Sequence, residues 1–235
     1  MPDVSIPLPD GASFSAYSAL PPSGTGPALI VIQEIFGVNA NMRKTCDIFA
    51  AQGYVTLCPD LFWRQEPGVQ LTDQTPEEWE RAFAFYKGFD VDAGLQDLRA
   101  TLAFARHLPA CSGKAGVVGY CLGGKLAFLM AARSDSDASV GYYGVGLETY
   151  LTEGDAITKP LLLHIAGLDS YVPPPIRAEI LGATAKNAQI SAYVYDEADH
   201  AFARWNGQNY NKEAAERAQS RTLAFLDTHL KEQEA

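Results

Sequence analysis

Positive charge is scarce in this chain: 18 lysines and arginines face 28 aspartates and glutamates, a formal net charge of -10. Such a chain gains nothing by approaching a phosphate backbone or an anionic membrane, so nucleic-acid and membrane partners are excluded as expectations. Cysteine is equally sparse. Cys46, Cys58, Cys111 and Cys121 form no CxxC pair and lie at no zinc spacing from a histidine, which leaves no metal site and no disulfide framework to expect. Residues 1–15, MPDVSIPLPDGASFS, lack the basic and apolar regions of a signal peptide, and no apolar run approaches membrane-spanning length. The expectation is a reduced, cytoplasmic protein, a monomer or small homo-oligomer, needing no cofactor. Repeats, low-complexity tracts and long linkers are missing too.

What is present is 235 residues of ordinary globular composition, 47% hydrophobic and 20% charged, enough to bury a full core as a single domain, residues 1–235. Apolar runs of strand length alternate with helical patterns. AYSAL at 16–20 suits a sheet edge or an antiparallel start, and ALIVIQ at 28–33 and YVTLCPD at 54–60 read as strands buried on both faces. Helices are predicted over 42–52, 76–87 and 92–108, and a strand then runs through GKAGVVGYCLGG at 113–124 into the helix KLAFLMAAR. ASVGYYG, KPLLLHIAGLD and AQISAYVYD supply later strands, PPPIRAEILGATAK a Pro-initiated helix and 211–231 a closing helix. This alternation implies βαβ units, a mostly parallel sheet with helices on both faces, and reactive groups on loops at the carboxyl ends of strands.

Gly119-Tyr120-Cys121-Leu122-Gly123 has the form G-x-C-x-G between a strand and a helix. In such an elbow the glycines permit a sharp, strained turn that lifts the nucleophile above the sheet, and the following helix aims its positive end at the sulfur, favouring thiolate. Cys46, Cys58 and Cys111 lack that context and read as packing or incidental.

Four histidines narrow the choice of base. His107 closes a charged helix end, His164 sits inside an apolar strand as a satisfied core residue, and His229 lies in the last helical turn as a solvated one. His200 follows the strand AYVYD in a loop before the last helix, after the nucleophile in chain order. Asp169, in the turn after LLLHIAG, can fix the tautomer of that ring. Asp196 and Asp199 are too near His200 in sequence to reach across, and Asp155 precedes its strand.

Five segments, QEIFG at 33–37, CPDLFWR at 58–64, GKAGVVGYCLGG at 113–124, GLDSYVP at 167–173 and DHAFAR at 199–204, resemble the dienelactone hydrolase (carboxymethylenebutenolidase) family of α/β-hydrolases, nearly end to end. The resemblance implies the α/β-hydrolase fold without a separate cap domain. It implies hydrolysis of a lactone or enol ester, dienelactone to maleylacetate, through an acyl-thioester on Cys121 with His200 as base and Asp169 as its orienter. It gives Glu34 the role of taking the thiol proton on substrate binding, and a neutral resting thiol. The oxyanion donors become the backbone N–H groups of Leu122 and Ile35, and Arg204 the grip on a substrate carboxylate.

A second carboxylate-binding arginine of the family falls, counted back without gaps from Asp90-Val91-Asp92-Ala93-Gly94, on Trp79. Arg81 is two residues on, a turn of roughly 200° along a helix, and is the candidate for that second clamp. The departure leaves a broader carboxylesterase of the same fold, and a non-catalytic small-molecule binder, as alternatives. Trp63, Phe36 and Tyr143 read equally as pocket wall or core.

Overall fold

Burial follows the apolar runs closely, and the strands form where the sequence is continuously apolar. A computed structural model describes residues 3–231. The chain divides into two compact units, one ending at Val117 and the other beginning at Val118.

The first unit holds β1 (Val4–Pro7), β2 (Ser13–Ala19), β3 (Gly26–Ile32), α1 (Ala40–Ala51), β4 (Val55–Pro59), α2 (Pro76–Lys87), α3 (Val91–Arg106) and the larger part of β5 (Cys111–Tyr120). β3 and β4 pair in parallel, while β1 on β2 and β2 on β4 are antiparallel, the start that AYSAL suggested. Every residue of β4 and all but the first of β3 are buried, as a two-faced strand requires. Each helix here opens on a side chain that satisfies an orphan N–H: Asn39 accepts from Met42, Thr75 from Glu78 and Asp90 from Ala93. Pro76 opens α2, with Glu77 and Glu78 in its first turn and Lys87 in its last, the charge order that the helix dipole favours.

Trp63 is packing. Its ring stacks on Phe14 at 5.6 Å and its indole N–H donates to the buried Asp97 at 2.8 Å. Arg64 donates to the other oxygen of that carboxylate at 2.7 Å.

The second unit takes the end of β5 and then α4 (Leu122–Arg133), β6 (Ser139–Tyr142), a 3-10 helix (Leu147–Ala156), β7 (Leu161–Ala166), α5 (Pro174–Thr184), β8 (Ile190–Tyr195) and α6 (Lys212–Leu230). β6, β7 and β8 pair in parallel. The strands follow the order β1-β2-β4-β3-β5-β6-β7-β8, a mostly parallel eight-stranded sheet. Among the described residues no helix is long and apolar enough to cross a membrane.

Two elements were not anticipated. β1 is only four residues long and carries a proline, too short for a period of two to register; the 3-10 helix carries no 3.6-residue period. Cys111, read as a loop residue, opens β5 instead.

His164 is the satisfied core residue expected of it. Fully buried in β7, its Nδ1 shares a hydrogen bond with the Tyr195 hydroxyl at 2.8 Å and its Nε2 one with Thr222 Oγ1 at 2.9 Å. Burial, with the Arg221 charge added, pulls its pKa down to about 3, so the ring is neutral and ties β7 to β8 and α6. His107 caps the end of α3, Nδ1 lying 2.7 Å from the Ala103 carbonyl. His229, expected in solvent, is half-buried with its ring edge-on to Phe225 at 4.7 Å.

Asp97→Ala strands a partly buried indole N–H and is expected to cost about 2 kcal/mol. Arg64→Ala removes a half-exposed partner and costs less than about 1 kcal/mol. Urea unfolding of both variants measures the difference; equal losses would mean that the ion pair, not the indole bond, carries the stabilisation.

Candidate active site

The end of β5 and the start of α4 are forced close by glycine. A Cβ on Gly119 would stand 1.9 Å from the Gly123 carbonyl oxygen, and one on Gly124 would stand 2.3 Å from that of Tyr142. No side chain fits either gap. Between them Cys121 adopts φ 55, ψ -112, a conformation that L-residues rarely hold and that costs on the order of 1–3 kcal/mol. Its backbone N–H is anchored on the Tyr142 carbonyl at 3.1 Å. Cys121 is the N-cap of α4, and its side chain makes no capping hydrogen bond, unlike those of Asn39, Thr75 and Asp90. The sulfur is thereby left for other partners. Leu122 is the first helical residue, where an N–H has no intrahelical acceptor.

One partner is His200. The thiol and the imidazole lie within hydrogen-bonding reach of each other. From the far side Asp169 Oδ2 accepts from His200 Nδ1 at 2.8 Å, and its Oδ1 accepts the Tyr171 N–H at 2.9 Å. Both carboxylate oxygens are therefore held, and the ring's other nitrogen faces sulfur. Asp199, a rival in sequence, takes the backbone N–H of His200 at 2.6 Å and not its ring. Cys121, Asp169 and His200 are 6%, 3% and 5% exposed, so their charges interact with little screening by water.

Burial alone would lower the His200 pKa. The negative charge of Cys121, the ring's hydrogen bonds to Asp169 and Cys121, and the Asp169 charge overcome it and raise the pKa to about 10. This electrostatic balance favours the protonated ring.

The β8–α6 loop that carries His200 bends twice through left-handed backbone, at Ala201 (φ 62) and Asn206 (φ 58). The double bend brings Arg204 inward to 7% exposure, unusual for arginine, and its charge acts on Tyr171 beside the triad.

Two rings that sequence reasoning did not select grip the imidazole. Tyr171 stands edge-on to it at 4.9 Å and Tyr143 at 5.2 Å. Tyr143 holds φ 37, another left-handed position. A tyrosine after an apolar strand reads equally well as core, but Tyr171 was within sight, two residues past Asp169 in GLDSYVP.

The remaining candidates, Glu34, Ile35 and Arg81, belong to the first unit. Glu34 and Ile35 are buried just past β3, where Gln33 Nε2 donates to the Glu34 carbonyl at 3.3 Å. Arg81 lies on the surface of α2, paired with Glu66 at 3.0 Å, both side chains about half exposed. Trp79 is tied down, its indole N–H donating to the Asp73 carbonyl at 3.0 Å and its ring meeting Phe36 edge-on at 5.0 Å. Among the described residues no cluster of three or more metal-ligating side chains occurs.

Comparison with known proteins places the chain in a family. The model of the dienelactone hydrolase family matches residues 14–230. The chain is 54% identical to a protein of Azospirillum brasilense, over 98% of this chain and all of that one. It is 44% identical to the carboxymethylenebutenolidase of Pseudomonas putida, over 95% of this chain and 94% of that one. A crystal structure from Klebsiella pneumoniae superimposes with a TM-score of 0.83 at 29% identity, covering 95% of this chain and 96% of that one. With its elbow, its strand order and its matched length, the chain belongs to the dienelactone hydrolase family.

Proposed function

We propose that the protein hydrolyses a carboxylate-bearing lactone or enol ester, dienelactone to maleylacetate, with Cys121 as nucleophile. The observation that carries this reading is the hydrogen-bonded series of sulfur, imidazole and carboxylate in a buried site. The family membership and the activity named for the Pseudomonas putida relative point the same way.

In the proposed course the Cys121 thiolate attacks the lactone carbonyl carbon, and the charge that develops on oxygen is met by the Leu122 N–H at the head of α4. Collapse breaks the ring C–O bond, leaving an acyl-thioester and an enolate. Acylation removes the sulfur's charge, the main support of the imidazolium, so His200 gives its proton to the enolate. The neutral ring then takes a proton from water, whose oxygen attacks the thioester and releases the Cys121 thiolate and a carboxylic acid that ionises in solvent. Asp169 keeps the ring oriented throughout. Arg204 anchors the substrate carboxylate, which an acidic chain needs. Glu34 as acceptor of the thiol proton, Ile35 N–H as second oxyanion donor and Arg81 as second clamp enter on the family resemblance alone. The setting proposed is the cytoplasm, in a pathway degrading aromatic compounds, for a monomer or small homo-oligomer.

A broader carboxylesterase is the second reading, favoured by the tied-down Trp79 at the clamp position and by the engagement of Arg81 with Glu66.

Cys121→Ala is expected to lower kcat/KM on dienelactone about a thousandfold or more. Arg204→Ala should raise KM for dienelactone about tenfold to a hundredfold while leaving a neutral aryl ester within about threefold. Steady-state kinetics on the two substrates decide: an Arg204 variant that keeps its dienelactone KM favours the esterase, and an active Cys121→Ala ends the nucleophile assignment.

The proton inventory makes a further expectation. Cys121→Ala removes the anion that holds the His200 proton but leaves the ring buried, so its titration must move down in pH from the parent's. An NMR titration of the ring C–H signal follows this directly, and an unmoved midpoint would mean that sulfur is not the cause of the raised value.

A further inference from the structure

From Leu122 to Ala131 every residue of α4 is buried, and the one charge in that run is Lys125. Nothing about helix stability accounts for it. Lys125 is the fourth residue of the helix, where a cation opposes the macrodipole, whereas Arg133 in the last turn satisfies it. The residue is only 7% exposed, and a buried ammonium costs free energy unless a negative charge answers it.

Two negative partners lie within range of its charge, Cys121 and Glu148. Lys125 follows Cys121 by four residues and its N–H donates to the Cys121 carbonyl at 3.3 Å. A helical side chain leans toward the preceding turn, which carries the ammonium back toward the nucleophile. Glu148 sits in the 3-10 helix, and its Oε2 is buried and takes no hydrogen bond from any described residue. A carboxylate oxygen in that position calls for a cation nearby, and Lys125 answers it. Burial pulls the Lys125 pKa below its ordinary value while the Cys121 and Glu148 charges pull it back up.

We propose that Lys125, buttressed by Glu148, is a positioning residue whose buried positive charge holds the sulfur of Cys121 in its thiolate form. The inference rests on the nucleophile reading above and adds a component to it. Groups acting on this sulfur include His200 from the β8–α6 loop, Tyr171 from the β7–α5 loop and Lys125 from α4, with Asp169 behind the imidazole. His200 and Lys125 favour the anion. No bond to substrate is asked of Lys125.

The test reads the sulfur and not turnover. Alkylation of Cys121 by iodoacetamide is followed across pH by mass spectrometry of the Cys121 peptide, in the full chain and in its Lys125→Met, Lys125→Gln and Lys125→Arg variants. Met and Gln are expected to slow alkylation near neutral pH about tenfold and move the rate–pH curve upward by about one unit, while Arg retains the parent curve. A change of packing alone would not be rescued by arginine or shared by glutamine. Met and Gln variants that fold, as judged by circular dichroism, and follow the parent curve overturn the proposal; should Met fail to fold, the Gln and Arg curves decide. The two readings fail separately. An unmoved alkylation curve sinks the role of Lys125 even if Cys121→Ala is inactive, and an active Cys121→Ala sinks the nucleophile even if the curve moves.

Discussion

The second unit is organised around one backbone conformation, the left-handed φ of Cys121. A non-glycine residue held there needs its surroundings to over-determine it. Its N–H is fixed by the Tyr142 carbonyl, and the strand and helix on either side approach too closely to admit a Cβ at Gly119 or Gly124. The strain directs the side chain away from the helix it caps, so the sulfur meets an imidazole and does not close the helix end. The same turn leaves the first N–H of α4 without an intrahelical acceptor.

Charge in the surrounding space is arranged with little help from water. Asp169 spends one oxygen on the Tyr171 backbone and the other on the His200 ring, so the carboxylate cannot rotate away without losing both. The ring is confined edge-on between Tyr143 and Tyr171. An anionic sulfur, a cationic ring and a buried carboxylate are mutually stabilising in a low dielectric, and each would be costly alone. The high His200 pKa expresses that dependence: it belongs to the group of charges and not to the residue.

Much of this was legible in order of residues. Continuous apolar runs marked β3, β4 and β7, and a proline marked the start of α5, because burial and the fixed φ of proline impose local rules. The elbow announced itself through Gly119 and Gly123, and the order Cys121, Asp169, His200 follows from strand-end loops arriving in sequence along a parallel sheet. Tyr143, Tyr171 and Lys125 were less accessible. A tyrosine after an apolar strand, or a lysine in a helix, has the same local appearance whether it faces core, solvent or a reactive atom. The antiparallel β1 and the 3-10 helix were hidden for other reasons: β1 has too few residues for a period to register, and the 3-10 helix lacks the 3.6-residue period.

By itself, then, the sequence determined the alternation of elements, the chain order in which Cys121, Asp169 and His200 arrive, and the acidic net charge. Tertiary structure decided which oxygen of Asp169 holds the ring, that Arg204 is buried, where Arg81 is engaged and that the charge of a lone lysine in an apolar helix acts on Cys121. The division has a physical cause. Periodicity and capping act between residues a few positions apart, whereas charge acts through space between loops far apart along the chain, and only folding brings those loops together.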